Sequence, residues 1–167
     1  KSHYLELSTK KIILFAANKD GRLPAWFKNF DSPIEVELHS SDFLPHDLGL
    51  LDFSTKEFNI KISGEIRALM ECLHLVPKHQ ELIECYELME AMNNLHPKKV
   101  QELLCNCRSI KVKRLFLYLA EKAGHEWFNY LDLSNIYLGV GKRKIVEDGV
   151  LDEKYKITVP KSWRSND

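Results

Sequence analysis

The spacing of apolar and polar positions changes twice along the chain, and the changes divide it into three stretches. Ile12, Ile13, Leu14 and Phe15 form a short apolar run between Lys10-Lys11 and the turn cluster Asn18-Lys19-Asp20-Gly21, the pattern of a buried strand. Pro24 suits the first turn of a short helix, Ala25 to Asn29, expected to offer Trp26 and Phe27 or Phe30 to a core. Ile34, Val36 and Leu38 then alternate with Glu35, Glu37 and His39, the period of two of a half-buried strand. Phe58, Ile60 and Ile62 repeat that alternation over Glu57 to Ile62. A small mixed sheet is the expectation for residues 1–62.

From residue 63 the period becomes helical. Ile66, Leu69, Met70 and Leu73 share one helix face, with Ser63 expected as N-cap and Glu65 favouring the first turn; Pro77 ends the element. Leu82, Ile83, Tyr86 and Met89 mark a second helix over Gln80 to Met92. Pro97 opens a third, to about Cys105, and a fourth follows Ser109 and stops at Gly124. Short polar links predict antiparallel neighbours in a bundle of about four helices over residues 63–130.

Residues 131–160 turn back to strands, expected at Asn135–Leu138, Arg143–Val146 and Lys154–Val159. Gly139-Val140-Gly141 and Glu147-Asp148-Gly149 supply turns, the latter an Asp-Gly of the hairpin type. Strands, helices, strands is an α+β order, and 167 residues suit one domain.

Composition adds little until charge is followed along the chain. Residues 1–94 hold 10 Lys/Arg against 15 Asp/Glu, whereas residues 95–167 hold 14 against 9. The net of zero therefore hides an acidic front and a basic back, which bears on partners. No apolar run approaches the ~18 residues of a membrane span, and the polar start is unlike a signal peptide. Cys72, Cys85, Cys105 and Cys107 are irregularly spaced and read as reduced thiols of a cytoplasmic protein. Cys105-x-Cys107 is too short for a zinc knuckle, Cys72-x-His74 finds no completing ligands, and His125-Glu126-Trp127 lacks the second His of a zinc-protease helix. No metal site or cofactor is expected.

The basic back carries the candidate site. On the fourth helix Lys111, Arg114 and Tyr118 fall at i, i+3 and i+7, aligning two cations and an aromatic ring, with Arg108 before them and Lys113 beside them. Lys142, Arg143 and Lys144 follow at the Gly139–Gly141 turn. Cations interleaved with an aromatic suit phosphates and base stacking, and these eight residues are the candidate nucleic-acid or partner contacts. The competing reading is a solvated helix face. Gly141-Lys142-Arg143 is no phosphate loop, since Arg143 stands where Ser/Thr is required and a strand, not a helix, is expected next. No catalytic residue is assigned. A metal-dependent nuclease would use Glu35, Glu37 or Glu57, but no clean E-x-K accompanies them.

Four strings in fixed order carry a resemblance: C-R-S-x-K-V-K-R-L-F (Cys107 to Phe116), G-H-x-W (Gly124 to Trp127), L-G-x-G-K-R (Leu138 to Arg143) and K-I-T-V-P (Lys156 to Pro160). The chain resembles the AbiEi-type antitoxins of type IV toxin–antitoxin (abortive infection) systems, most strongly over residues 63–167. KKIILFAANKDGRLPAWFKNF is similar to the family's strand–turn–RLPxW segment. The resemblance implies a transcriptional regulator that represses its own operon and counters a nucleotidyltransferase-like toxin. Such proteins carry an N-terminal winged helix; it is absent from this chain, which also lacks an initiator Met, so the resemblance is to the C-terminal antitoxin domain. DNA, approached with that winged helix, and the toxin are the implied partners, and a homodimer is compatible with the sequence. The alternative to such a regulator is a structural dimerisation domain whose acidic helices form the interface.

Overall fold

In a computed structural model the described residues are 11–16, 25–28, 31 and 33–163. The turn expected at Asn18–Gly21, the helix-opening role of Pro24 and the core role of Phe30 lie outside the described residues. The chain forms two compact units, Lys1–His46 and Asp47–Asp167.

In the first unit β1 (Lys11–Ala16) and β2 (Glu35–Ser40) pair in parallel, Lys11 opposite Glu35 and Ala16 opposite Ser40. Parallel strands need a crossover, and the short helix α1 (Ala25–Lys28) lies in the intervening chain. Trp26, a core residue by expectation, is 68% exposed and edge-on to Phe27. A single helical turn is too short to bury both of two adjacent rings. Lys11 pairs with Glu37 and lies 3.7 Å from Glu35, a cross-strand arrangement of opposite charges.

The second unit begins with the hairpin β3 (Leu50–Ser54) and β4 (Asn59–Ser63), antiparallel with Leu51 opposite Ile62 and Phe53 opposite Ile60. β3 adds a strand that the pattern does not announce, because Leu50-Leu51-Asp52-Phe53 has no clean alternation. The N-terminal strands thus lie in two separate pairs, not one sheet.

Four helices follow at the expected places: α2 (Glu65–Leu75), α3 (Leu82–Ala91), α4 (Pro97–Asn106) and α5 (Ile110–Ala123). α2, α3 and α5 pack on one another, with Leu69, Met70, Leu73, Cys85, Met89 and Leu104 fully buried. α5 is the centre of the unit, every residue from Val112 to Ala120 being buried. Its ends follow local chemistry: the Ser109 hydroxyl accepts from the Val112 N–H, and Gly124 ends the helix in the left-handed region at φ +70°. Ser63 is not the N-cap of α2. Gly64 holds that place, and the Ser63 hydroxyl donates instead to Glu71, 2.7 Å away, which also receives the Arg67 Nε–H at 2.8 Å.

After α5 the chain departs most from expectation. Glu126–Tyr130 and Leu133–Asn135 are 3-10 turns, and 136–138 is irregular, so no strand spans Asn135–Leu138. Ile136 is buried there, whereas Tyr137 is exposed. Arg143–Val146 is one bridge and not a strand: Arg143 exchanges hydrogen bonds with Lys156 and Thr158, after which the Thr158 hydroxyl takes the N–H groups of Ile145 and Val146. β5 (Val150–Asp152) and β6 (Ile157–Val159) form the C-terminal hairpin. The Asp-Gly turn therefore precedes the hairpin instead of closing it. Asp148 is left-handed at φ +51°, and a Cβ on Gly149 would stand 2.6 Å from the Val159 carbonyl oxygen. The architecture is a mixed α+β one, with N-terminal strands, a helical centre and a C-terminal hairpin.

Candidate nucleic-acid and partner interface

α5 had to be buried almost all round, because Ile110 to Ala120 contains too many apolar residues to leave a wide polar face. The cationic stripe on it consequently meets protein as much as solvent. Lys111 is half-buried, and its ammonium donates to the carbonyls of His74 and Val76, each at 2.6 Å. These carbonyls end α2, so a cation there satisfies unpaired acceptors and complements the helix dipole. Burial, then the Arg143 charge, lowers the Lys111 pKa.

Arg114 is only 1% exposed. Its guanidinium donates to the carbonyls of Leu138 at 2.8 Å, Gly141 at 2.7 Å and Lys156 at 3.2 Å. One planar fork thus fixes the glycine turn and the β5–β6 turn against α5. Tyr118, 8% exposed, meets Tyr155 edge-on and stacks with Trp163. Lys113 is buried at 5% exposure.

The remaining candidates are exposed: Arg108 just before α5, and Lys142, Arg143 and Lys144 beyond the glycine turn. Lys142 lies 3.6 Å from Glu153, and Lys144 pairs with Glu147. Such exposed pairs contribute at most about 1 kcal/mol each and open easily to a competing anion. Arg143 is close enough to Lys111 and Arg114 to lower the pKa of both. The structure therefore brings Lys111, Arg114 and Arg143 together, with Lys142 and Lys144 as sequence neighbours, and gives Arg114 and Tyr118 packing positions. The burial could have been read from the apolar density of α5; the carbonyls that Arg114 gathers could not.

Glu37 pairs with Lys11 and approaches the His39 ring at 2.8 Å, while Glu57 sits exposed at the β3–β4 turn, its N–H donating to the Thr55 hydroxyl at 3.2 Å. The thiols are free; burial pushes Cys85 up to about 12 and Cys107 to about 11, the range of packed and unreactive cysteines. Among the described residues no helix is long and apolar enough to cross a membrane.

The described residues thus form an α+β arrangement with a helical centre and a turn followed by three exposed cations. Over residues 9–160 it matches the family described as "Transcriptional regulator, AbiEi antitoxin, Type IV TA system". The chain belongs to that family of antitoxins, which is not an enzyme family. No curated protein and no solved structure matches it.

Proposed function

We propose that this chain is the C-terminal domain of a DNA-binding transcriptional regulator, contributing antitoxicity and supplementary nucleic-acid or partner contacts. In this reading a winged helix elsewhere in the regulator reads the operator, and Arg108, Lys142, Arg143 and Lys144 add phosphate contacts. Arg114 acts from beneath, by holding the turn that carries Lys142, Arg143 and Lys144, and Lys111, Lys113 and Tyr118 stand beside it on α5. The observation that carries the reading is the Arg114 clamp: a buried guanidinium fixes the glycine turn whose next three residues are exposed cations. A binding surface held by the core loses less entropy on association than a free loop. The toxin implied for such an antitoxin is a nucleotidyltransferase-like protein, met directly or through repression of its gene.

Salt dependence tests the phosphate contacts. Replacing Lys142, Arg143 and Lys144 by Gln in the full-length regulator should flatten the plot of log affinity for operator DNA against log salt. The expected change is roughly one unit of slope for each phosphate no longer neutralised. An unchanged slope would remove these residues from the DNA interface.

A second reading, self-association, has its own observation. Leu51, Phe53, Ile60 and Ile62 share one face of the β3–β4 hairpin by register, and with Phe58 they are 40–55% exposed. That is a contiguous apolar patch on a two-stranded sheet, an arrangement that is seldom stable uncovered.

A further inference from the structure

Both ends of the glycine turn are tied to one guanidinium, and each carries an exposed side chain that the fold does not use. Arg114 donates to the carbonyls of Leu138 before the turn and Gly141 after it. A third carbonyl on Arg114, that of Lys156, also accepts the Arg143 N–H at 2.8 Å. Tyr137 and Arg143 are thereby set on either side of Arg114, on backbone that the core holds. Ile136 is 3% exposed and Tyr137 is 71% exposed, so the ring stands outward from an anchored segment. Among the described residues this ring stacks on no other, and its hydroxyl makes no hydrogen bond. A lone exposed ring is ordinary on a protein surface. What distinguishes Tyr137 is the charge beside it.

Lys111, Arg114 and Arg143 lie close enough for their charges to act on one another, and among the described residues none of the three forms an ion pair with a carboxylate. Lys111 and Arg114 give their N–H groups to backbone carbonyls, which satisfy the donors but carry no net charge. Lys142 and Lys144 have acids within reach, Glu153 and Glu147; Arg143 is exposed and has none. Positive charges set partly inside protein are screened less by water than fully solvated ones. An exposed guanidinium, a free ring and further cations in sequence suit a ligand that joins repeated phosphates to flat bases. In a duplex each base is covered on both faces by its neighbours, so a protein ring stacks on an unpaired one. We infer that the glycine turn binds a single-stranded stretch of nucleic acid, with one base stacked on Tyr137 and an adjacent phosphate on Arg143. It rests on the phosphate contacts proposed above and names the kind of strand they meet. The aromatic contact thus passes from Tyr118, which the fold keeps inside, to Tyr137.

The test measures fluorescence anisotropy as the full chain is titrated into a labelled oligothymidylate of about twelve nucleotides, and into the same strand paired with oligoadenylate. The single strand is expected to bind more tightly. Tyr137→Phe keeps the ring and should retain affinity within about twofold, whereas Tyr137→Leu keeps apolar bulk without the stack and should lose about tenfold. Arg143→Gln should reduce the salt slope on the single strand by roughly 0.7. The amide spectrum of each variant reports whether it stays folded. Duplex binding as tight as that of the single strand overturns the inference, as do equal affinities of the Phe and Leu variants or an unchanged slope in Arg143→Gln. Release of the strand by phosphatidylglycerol vesicles at equal phosphate concentration would assign the turn to a lipid surface and overturn it too. The duplex salt slope of the variant lacking Lys142, Arg143 and Lys144 is a separate readout. If that slope flattens while Tyr137→Leu binds the single strand as the parent does, the phosphate contacts stand and the stack fails. If it stays unchanged while Tyr137→Leu loses the single strand, the operator contact fails and the stack stands.

Discussion

Arg114 shows at the residue scale how one side chain can replace a strand. Three carbonyls from two separate turns converge on its guanidinium, so truncation would leave buried acceptors without donors. Arg114→Leu should lower unfolding stability by about 3 kcal/mol in urea titrations, and Arg114→Lys should recover only part of it, because a point charge does not reproduce the fork. Tyr118 supplies a pH signature. Burial, followed by the Asp152 charge, raises its phenol from 10.0 to about 12. The unfolded chain then deprotonates first, so the contribution of Tyr118 is fully present below pH 10 and is lost as pH rises through 12. Denaturation midpoints measured at pH 8 and pH 11 should differ less in Tyr118→Phe than in the parent chain. The residue types at both positions were evident from the stripe on α5; their burial was decided by what folds over them.

The helices were the elements most legible in the sequence, and α5 most of all. Ile110 to Ala123 has its start written by the Ser109 hydroxyl and its end by Gly124. A Cβ on Gly124 meets nothing within 4 Å, so Gly124→Ala should cost only the left-handed strain of about 1 kcal/mol, readable as a lower urea midpoint. Asn at the same position should cost less. The strands were harder. β4 carries its alternation in Ile60 and Ile62, whereas β3 lacks it, because most of that hairpin lies exposed and no core selects its pattern. Arg143–Val146 has a strand-like composition but gives its amides to one threonine hydroxyl, a choice made by a residue far along the chain.

For the whole molecule, the uneven charge was legible as a sum, and the structure shows that three of the seven candidate cations, Lys111, Lys113 and Arg114, lie buried or half-buried in the fold. The apolar hairpin face gives the molecular prediction. If it mediates association of two chains, the weight-average mass in light scattering should rise with concentration, and Phe53→Thr with Ile60→Thr should hold the chain at monomer mass. Each half-exposed site should change stability by no more than about 0.5 kcal/mol. A monomer at all concentrations in the parent chain would dismiss that association.

By itself the sequence determined the helices, most of their ends and the family, since spacing, cap chemistry and ordered strings are local properties that survive without knowledge of neighbours. Only the tertiary structure decided which cations are surface and which are fasteners. Lys111 and Arg114 look alike in sequence to Lys142 and Arg143, and what separates them is the position of unpaired carbonyls contributed by residues 74–76, 138–141 and 156. A buried backbone acceptor must be satisfied, and the nearest long cation does so wherever folding brings the two together.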